Sequence, residues 1–127
     1  MLESAARPRL DWSNTLWIVA VHAVAVLGFF TFSWGAFLLA MGIWWVTGGW
    51  GITLGFHRLL THRGLTLPKW LEHAFAVLGV CCLQDSPARW VAVHRLHHRH
   101  SDERPDPHTP LVSFFWAHVG WVLVHNR

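Results

Sequence analysis

Five histidines fall in two short boxes, and they are the residues whose type and spacing most clearly predict chemistry. The first box is HRLLTH at residues 57–62, and the second is HRLHH at residues 94–98. Neutral imidazole nitrogens bind Zn, Cu, Fe and Ni, so ligand type alone does not select the metal. Because residues 12–56 carry no Asp, Glu, Lys or Arg, the first box begins where an apolar segment ends. The sequence therefore predicts a metal centre built against a membrane.

Helical periodicity brings the three histidines of the second box to one face. Positions i, i+3 and i+4 are neighbours on an α-helix, so His94, His97 and His98 converge. Arg95 points away from that face, and His100 lies about 120° from it. We therefore predict that the second box supplies three metal ligands.

The spacing of the first box leaves two geometries open. His57 and His62 are five residues apart, which is about 140° around an ideal α-helix. They could flank a metal from two sides, or converge if the helix unwinds near its end. Both residues are predicted ligands in either case. The histidines expected outside the metal site are His22, His73, His100, His118 and His125, while His108 is undecided because DPH precedes a turn.

Other metal-binding patterns do not occur in the sequence. Cys81 and Cys82 are adjacent and form no CxxC pair, so neither a zinc finger nor a disulfide framework is predicted. The three Glu residues do not form the Glu-x-x-His motif of soluble di-iron bundles. Cysteines without distant partners also favour a reducing, cytoplasm-facing location.

The composition favours a membrane protein over a soluble one. Hydrophobic residues make up 53% of the 127 residues and charged residues 13%, whereas a soluble globular chain carries about 25% charged residues. The net charge of +3 does not indicate nucleic-acid binding, because the ten Lys and Arg form no stripe or reader module. Their positions are more typical of a lipid headgroup surface. One domain is the most that this length accommodates.

The uncharged segment is long enough for two membrane passes. A helix needs about 20 residues to cross a bilayer, and this segment divides naturally at Ser33-Trp34-Gly35. The predicted spans are Thr15–Phe32 and Ala36–Phe56. Arg and Lys flank both outer ends, so the positive-inside tendency places both ends in the cytoplasm, as in a hairpin.

The region after the hairpin, residues 57–127, is predicted to be cytoplasmic. Two apolar stretches, Leu71–Leu83 and Val112–Val124, are too short to cross a membrane. The first is predicted to be a re-entrant or interfacial helix, and the second belongs to the same region of interfacial helices. Within the second span, Gly51 and Gly55 are spaced for close helix packing. The predicted fold class is an all-α membrane protein, in which a two-span transmembrane hairpin precedes cytoplasmic or interfacial helices that carry the histidine boxes.

The joint pattern resembles the membrane-bound fatty acid desaturases, specifically the acyl-lipid and acyl-CoA delta-9 type. GITLGFHRLLTHRGL is similar to that family's first histidine box, LQDSPARWVAVHRLHHRHSD to its second, and DPHTPLVSFFWAHVGWVL to the segment that follows. The resemblance covers roughly residues 40–124. It implies that the five box histidines ligate two non-haem irons, with O2 as co-substrate and a ferredoxin or b-type cytochrome as electron donor. It also implies that Gln84 and Trp90 line the bend of an acyl tunnel.

Two features depart from the family pattern. Acyl-CoA members carry Arg-Asp just before the second box, touching the CoA moiety, where this chain has Ala92 and Val93. This difference counts against CoA recognition and leaves acyl-lipid or acyl-carrier substrates open. The family also has a third box, another HxxHH, which does not occur in these 127 residues. We therefore expect the N-terminal portion of a desaturase, inactive by itself.

Two alternatives differ in function. A related membrane di-iron hydroxylase or ketolase would share the boxes, although DPHTP and the aromatic HVGW segment favour a desaturase. A non-catalytic membrane remnant would bind metal only weakly. The nucleotide sequence after codon 127 distinguishes these readings, because an in-frame HxxHH would indicate the enzyme.

Overall fold

Helices make up the secondary structure of the described chain. The structure, a computed structural model, describes residues 9–101, 103 and 106–125. Its elements are α1 (Trp12–Leu27), α2 (Trp34–Trp44), a π-helix (Trp45–Thr61), α3 (Lys69–Val80), α4 (Pro87–His100), α5 (Phe114–His118) and a 3-10 turn (Gly120–Leu123). Within the described residues there is no β-strand, only an isolated antiparallel bridge between Leu10 and Val124. The predicted all-helical class is confirmed for this part of the chain.

The chain divides into two compact units. One is made of the described parts of Met1–Thr31 and His100–Arg127, and the other is Phe32–Arg99. The first unit contains α1, α5 and the 3-10 turn. The second contains α2, the π-helix, α3 and nearly all of α4. Both histidine boxes therefore belong to the same unit.

Hydrogen bonds at the start of α1 organise the first unit. The Asp11 side chain caps α1 by accepting from the backbone N–H of Asn14 at 3.1 Å. The Asp11 N–H donates to Leu123 O at 2.8 Å, and Asn14 Nδ2 donates to Val122 O at 3.2 Å. These bonds attach the start of α1 to the 3-10 turn.

The break predicted at Ser33 is where α2 begins. Ser33 is extended, and its Oγ accepts from the Ala36 N–H at 3.3 Å, which makes it an N-cap. From there the backbone stays helical over Trp34–Thr61, which is 28 residues. Among the described helices, this one is long and apolar enough to cross a membrane, whereas α1 has only 16 residues. The structure thus contains one candidate span, and the predicted two-span hairpin is not confirmed.

The apolar side chains of these helices face outward. Leu38 is 65% exposed and Val24 66% exposed. In the most apolar part of Trp34–Thr61, only 6% of residues are buried. The core helix of a soluble protein would be mostly covered, and large exposed apolar patches mark contact with lipid or with another protein. The described helices therefore suit an apolar environment better than water.

Glycines let the π-helix and α3 approach to backbone contact. A Cβ on Gly51 would lie only 2.7 Å from the Cα of Gly79, and one on Gly55 would lie 3.0 Å from the carbonyl oxygen of Phe75. A Cβ on Gly79 would collide with the ring of Phe56, which is 0% exposed. Since these positions have no room for a side chain, the predicted packing role of Gly51 and Gly55 is confirmed.

Replacing Gly51 by alanine should force the π-helix away from α3. The new methyl group has no room against the Gly79 backbone, and overpacking of this kind costs about 1–3 kcal/mol. Gly49→Ala is the matched control, because nothing lies within 4 Å of a Cβ at that position. Unfolding of the detergent-solubilised protein by heat or SDS measures both variants. Equal midpoints for the two would contradict the close contact.

Candidate metal centre

The first box lies at the carboxyl end of the π-helix, with His57 in its last turn and His62 directly after it. The His62 N–H donates to His57 O at 3.1 Å, so this backbone bond spans five residues. This hydrogen-bond register brings residues that are five apart toward the same side of the helix, and the Nε2 atoms of His57 and His62 are 3.1 Å from each other. Of the two predicted geometries, the convergent one is therefore found. The two histidines converge because the helix ends in a π-helical turn, and not because its end is unwound.

The second box lies on α4, where His94 and His98 are one turn apart and their Nε2 atoms are separated by 3.0 Å. Across the boxes, the ring centroids of His57 and His94 are 4.8 Å apart, and those of His62 and His98 are 4.7 Å apart. One ring nitrogen from each of these residues lies within 4.8 Å of the other three. We call this set, His57, His62, His94 and His98, the four-histidine group.

The four-histidine group fits a metal ion. Two nitrogens bound at right angles to one ion, with bonds of about 2.1 Å, are about 3.0 Å apart. The Nε2 separations within each box, 3.1 and 3.0 Å, match that value. A set of imidazole donors is typical of first-row transition metals rather than of Mg2+ or Ca2+.

His97 lies on α4 but outside the four-histidine group. Its ring centroid is 6.0 Å from that of His94 and 5.7 Å from that of His98. The structure thus brings four of the five predicted ligands to one point and places the fifth beside them.

Burial keeps His94 of this group neutral. Burial, followed by the nearby imidazoles of His98 and His57, lowers the pKa of His94 from 6.5 to about 4. The ring is therefore unprotonated at neutral pH. Because a histidine must be neutral to bind a metal ion, His94 needs no proton loss at that pH before it can act as a ligand.

Gln84 and Trp90, the two residues implied to line an acyl tunnel, contact each other. Trp90 Nε1 donates to Gln84 Oε1 at 3.3 Å. The indole also stacks on His94, with centroids 4.7 Å apart and planes at 28°, and its centroid is 5.7 Å from that of Phe56. The stacking on His94 was not predicted, although a spacing of four residues on one helix is a usable signal.

The five histidines expected outside the site, and the undecided His108, each contact another residue. His22 and His73 donate from Nδ1 to the carbonyl oxygens four residues earlier, at 2.7 and 2.6 Å. The remaining contacts are the stacking of His118 on Phe114, His100 with Glu103 at 4.0 Å, His108 with Asp106 at 3.2 Å, and His125 with Asp11 at 3.5 Å. None of these six histidines belongs to the four-histidine group.

The contact between Arg95 and the end of the π-helix was not predicted from the sequence. Periodicity predicted only that this side chain points away from the histidine face. In the structure its guanidinium donates to the carbonyl oxygens of Leu60 and Thr61, at the end of the π-helix. A cation is favourable near a helix carboxyl end, but no local rule assigns an arginine on one helix to the end of another.

The sequence is similar over nearly all of its length to known lipid desaturases. It is 44% identical over 127 residues to an sn-1 stearoyl-lipid 9-desaturase of Anabaena variabilis, covering 98% of this chain and 47% of the relative. A chloroplastic palmitoyl-monogalactosyldiacylglycerol delta-7 desaturase of Arabidopsis thaliana is 42% identical over 117 residues, covering 92% and 32%. An acyl-CoA 5-desaturase of Anemone leveillei is 40% identical over 117 residues, covering 88% and 36%. No family model matches the sequence.

The chain spans half or less of the length of these curated relatives, since the covered shares are 47%, 32% and 36%. Their names agree on desaturation of a fatty acyl group. They differ in the position of the double bond and in whether the acyl group is carried by a lipid or by CoA.

Proposed function

Because this chain belongs to the fatty acid desaturase family, we propose that it carries two histidine boxes of an enzyme that introduces a double bond into a saturated acyl chain. The observation that carries this proposal is the four-histidine group, in which two boxes distant in sequence bring their ring nitrogens within 4.8 Å. The activity that the relatives' names share supports the choice of reaction.

Two non-haem iron ions are the proposed cofactor. We assign the four-histidine group to one ion and His97, whose ring centroid is 6.0 Å from that of His94, to the second. Five imidazoles do not fill the positions of two six-coordinate irons, so further ligands must come from outside this set. When bound, the iron would activate O2 toward an unactivated CH2–CH2 unit.

The proposed reaction removes two hydrogens from neighbouring carbons of the acyl chain and leaves a carbon–carbon double bond. Together with two electrons, delivered one at a time by reduced donor proteins, and two protons from solvent, these hydrogens reduce O2 to two molecules of water. A ferredoxin or a b-type cytochrome is the proposed class of donor. The acyl group is carried by a lipid, by CoA or by an acyl carrier.

The chain's own contribution to this chemistry is a set of imidazole nitrogens beside aromatic side chains. Burial keeps His94 unprotonated at neutral pH. The Trp90 indole covers one face of that ring, and the fully buried Phe56 lies against the indole. Aromatic side chains at this place exclude water from the ligand and present an apolar surface to an acyl chain.

Alanine at His94 or His98 should weaken metal binding more than tenfold, because even mutation of a residue that only hydrogen-bonds to a metal ligand lowers metal affinity about 10–100-fold. The measurement is iron per chain after anaerobic loading of the detergent-solubilised protein. His73→Ala is the control, because this exposed histidine of the same unit bonds to a local carbonyl instead. Iron content that stayed unchanged in His94→Ala and His98→Ala would overturn the assignment.

A substrate role for Gln84 and Trp90 predicts a change in product profile. Trp90→Phe keeps an aromatic face against His94 but removes the N–H that donates to Gln84. In the full-length gene product, this variant should alter which acyl chain lengths are desaturated while the bound iron is retained. Gas chromatography of the products and iron analysis measure the two effects. Loss of iron together with activity would show that Trp90 only supports the packing around His94.

The proposed location is a membrane, with Thr15–Phe32 and Ala36–Phe56 as the two passes and both histidine boxes on the cytoplasmic side. Their exposed apolar side chains and the cationic residues at both outer ends support this arrangement. Single cysteines at Arg9, Ser33 and Lys69, in a chain with Cys81 and Cys82 changed to serine, provide the test.

In that labelling experiment, positions 9 and 69 should react from the cytoplasmic side and position 33 from the opposite side. The expected pattern follows because each pass reverses the side of the membrane. A membrane-impermeant maleimide applied to sealed right-side-out and inverted vesicles measures it. Labelling of positions 9 and 69 from opposite sides would exclude the hairpin.

A further inference from the structure

The guanidinium of Arg95 connects the two histidine boxes through the backbone. Its Nη2 donates to Leu60 O at 3.1 Å and to Thr61 O at 3.0 Å, and its Nε donates to Thr61 O at 3.3 Å. Leu60 and Thr61 belong to the first box, and Arg95 belongs to the second. The three bonds therefore tie the end of the π-helix to α4 next to the metal ligands.

The acceptors are carbonyls that the helix itself leaves without partners. The last carbonyls of a helix have no intrahelical donor, and leaving such a group buried and unbonded costs free energy. Thr61 is only 7% exposed, so water has limited access to this end of the π-helix. A fixed cationic donor is also favourable at the negative end of a helix. Arg95 satisfies both requirements with one side chain.

The position of Arg95 in the second box allows this contact without disturbing the ligands. It follows His94 directly, and neighbouring residues are about 100° apart on an α-helix. The His94 ring can therefore face the four-histidine group while the adjacent arginine reaches the end of the π-helix. The Oγ1 of Thr61 also donates to Phe56 O at 2.7 Å, so the turn that Arg95 holds is itself in the five-residue register.

We propose that Arg95 is a positioning residue that holds the first-box turn in its π register and sets its distance from α4, so that the four imidazoles meet at one ion. The inference rests on the proposed metal centre. It requires the planar fork of an arginine, because one lysine ammonium is a point charge that does not match two neighbouring carbonyls in the same way.

Three variants of the full chain test the role: Arg95→Gln, Arg95→Lys and, as the control, Arg99→Gln. Arg99 is an exposed arginine one turn further along α4. The first measurement is Co2+ titration of the detergent-solubilised protein, read from the visible d–d absorption. The second is hydrogen exchange of the peptide that contains the His62 amide, whose bond to His57 O defines the π register.

Both Arg95 variants should bind Co2+ about 10–100-fold more weakly than Arg99→Gln, with a changed d–d spectrum. The His62 amide should exchange at least tenfold faster in them, while exchange in α3 stays at the wild-type rate. A general loss of stability would instead raise exchange in every helix of the unit. Uniformly faster exchange, wild-type Co2+ binding in Arg95→Gln, or full rescue by Arg95→Lys would each overturn the proposal.

The two measurements separate this inference from the metal centre on which it rests. If the wild-type chain bound no Co2+, the proposed centre would fail, yet exchange of the His62 amide would still report whether Arg95 holds the turn. If the wild-type chain bound Co2+ and Arg95→Gln bound it equally well, the centre would stand and the positioning role would fall.

Discussion

The hydrogen-bond register at the end of the π-helix is the constraint on which the candidate site depends. An α-helical turn would place His57 and His62 about 140° apart. A backbone hydrogen bond over five residues brings them toward the same side of the helix instead, with their Nε2 atoms 3.1 Å apart. The same register recurs in the side-chain bond from Thr61 to Phe56 O. The five-residue spacing of the histidines in the first box therefore matches the five-residue hydrogen bond of the π-helical turn that carries them.

Local rules predicted the parts of the molecule that depend on neighbours in the chain. The break at Ser33, the convergence of His94 and His98 one turn apart, and the small-residue contact at Gly51 all follow from capping, periodicity and side-chain size. The geometry of the first box did not follow, because residue types do not distinguish a π turn from an α turn. Thr61, whose carbonyl oxygen accepts from Arg95, lies 34 residues away in the chain. Capping and periodicity relate only residues within a few positions of each other, so they do not predict this contact.

The relatives differ in the position of the double bond named for them, although their identity to this chain is nearly the same. Identity is 44% to an enzyme named for position 9, 42% to one named for position 7 and 40% to one named for position 5. Overall similarity in this segment thus varies little with the position of the double bond. Overall identity therefore does not select one of these double-bond positions for this chain.

A line of touching residues runs from a glycine of α3 to His94 of the four-histidine group. The Gly79 backbone abuts the Phe56 ring, Phe56 lies 5.7 Å from Trp90, and Trp90 stacks on His94 at 4.7 Å. A side chain at Gly79 would displace the fully buried Phe56 ring, and the displacement would pass through Trp90 to the imidazole. Gly79 therefore supports the position of His94, although glycine has no ligand atom in its side chain. The number of positions intolerant of change around this site is consequently larger than the number of histidines in the group.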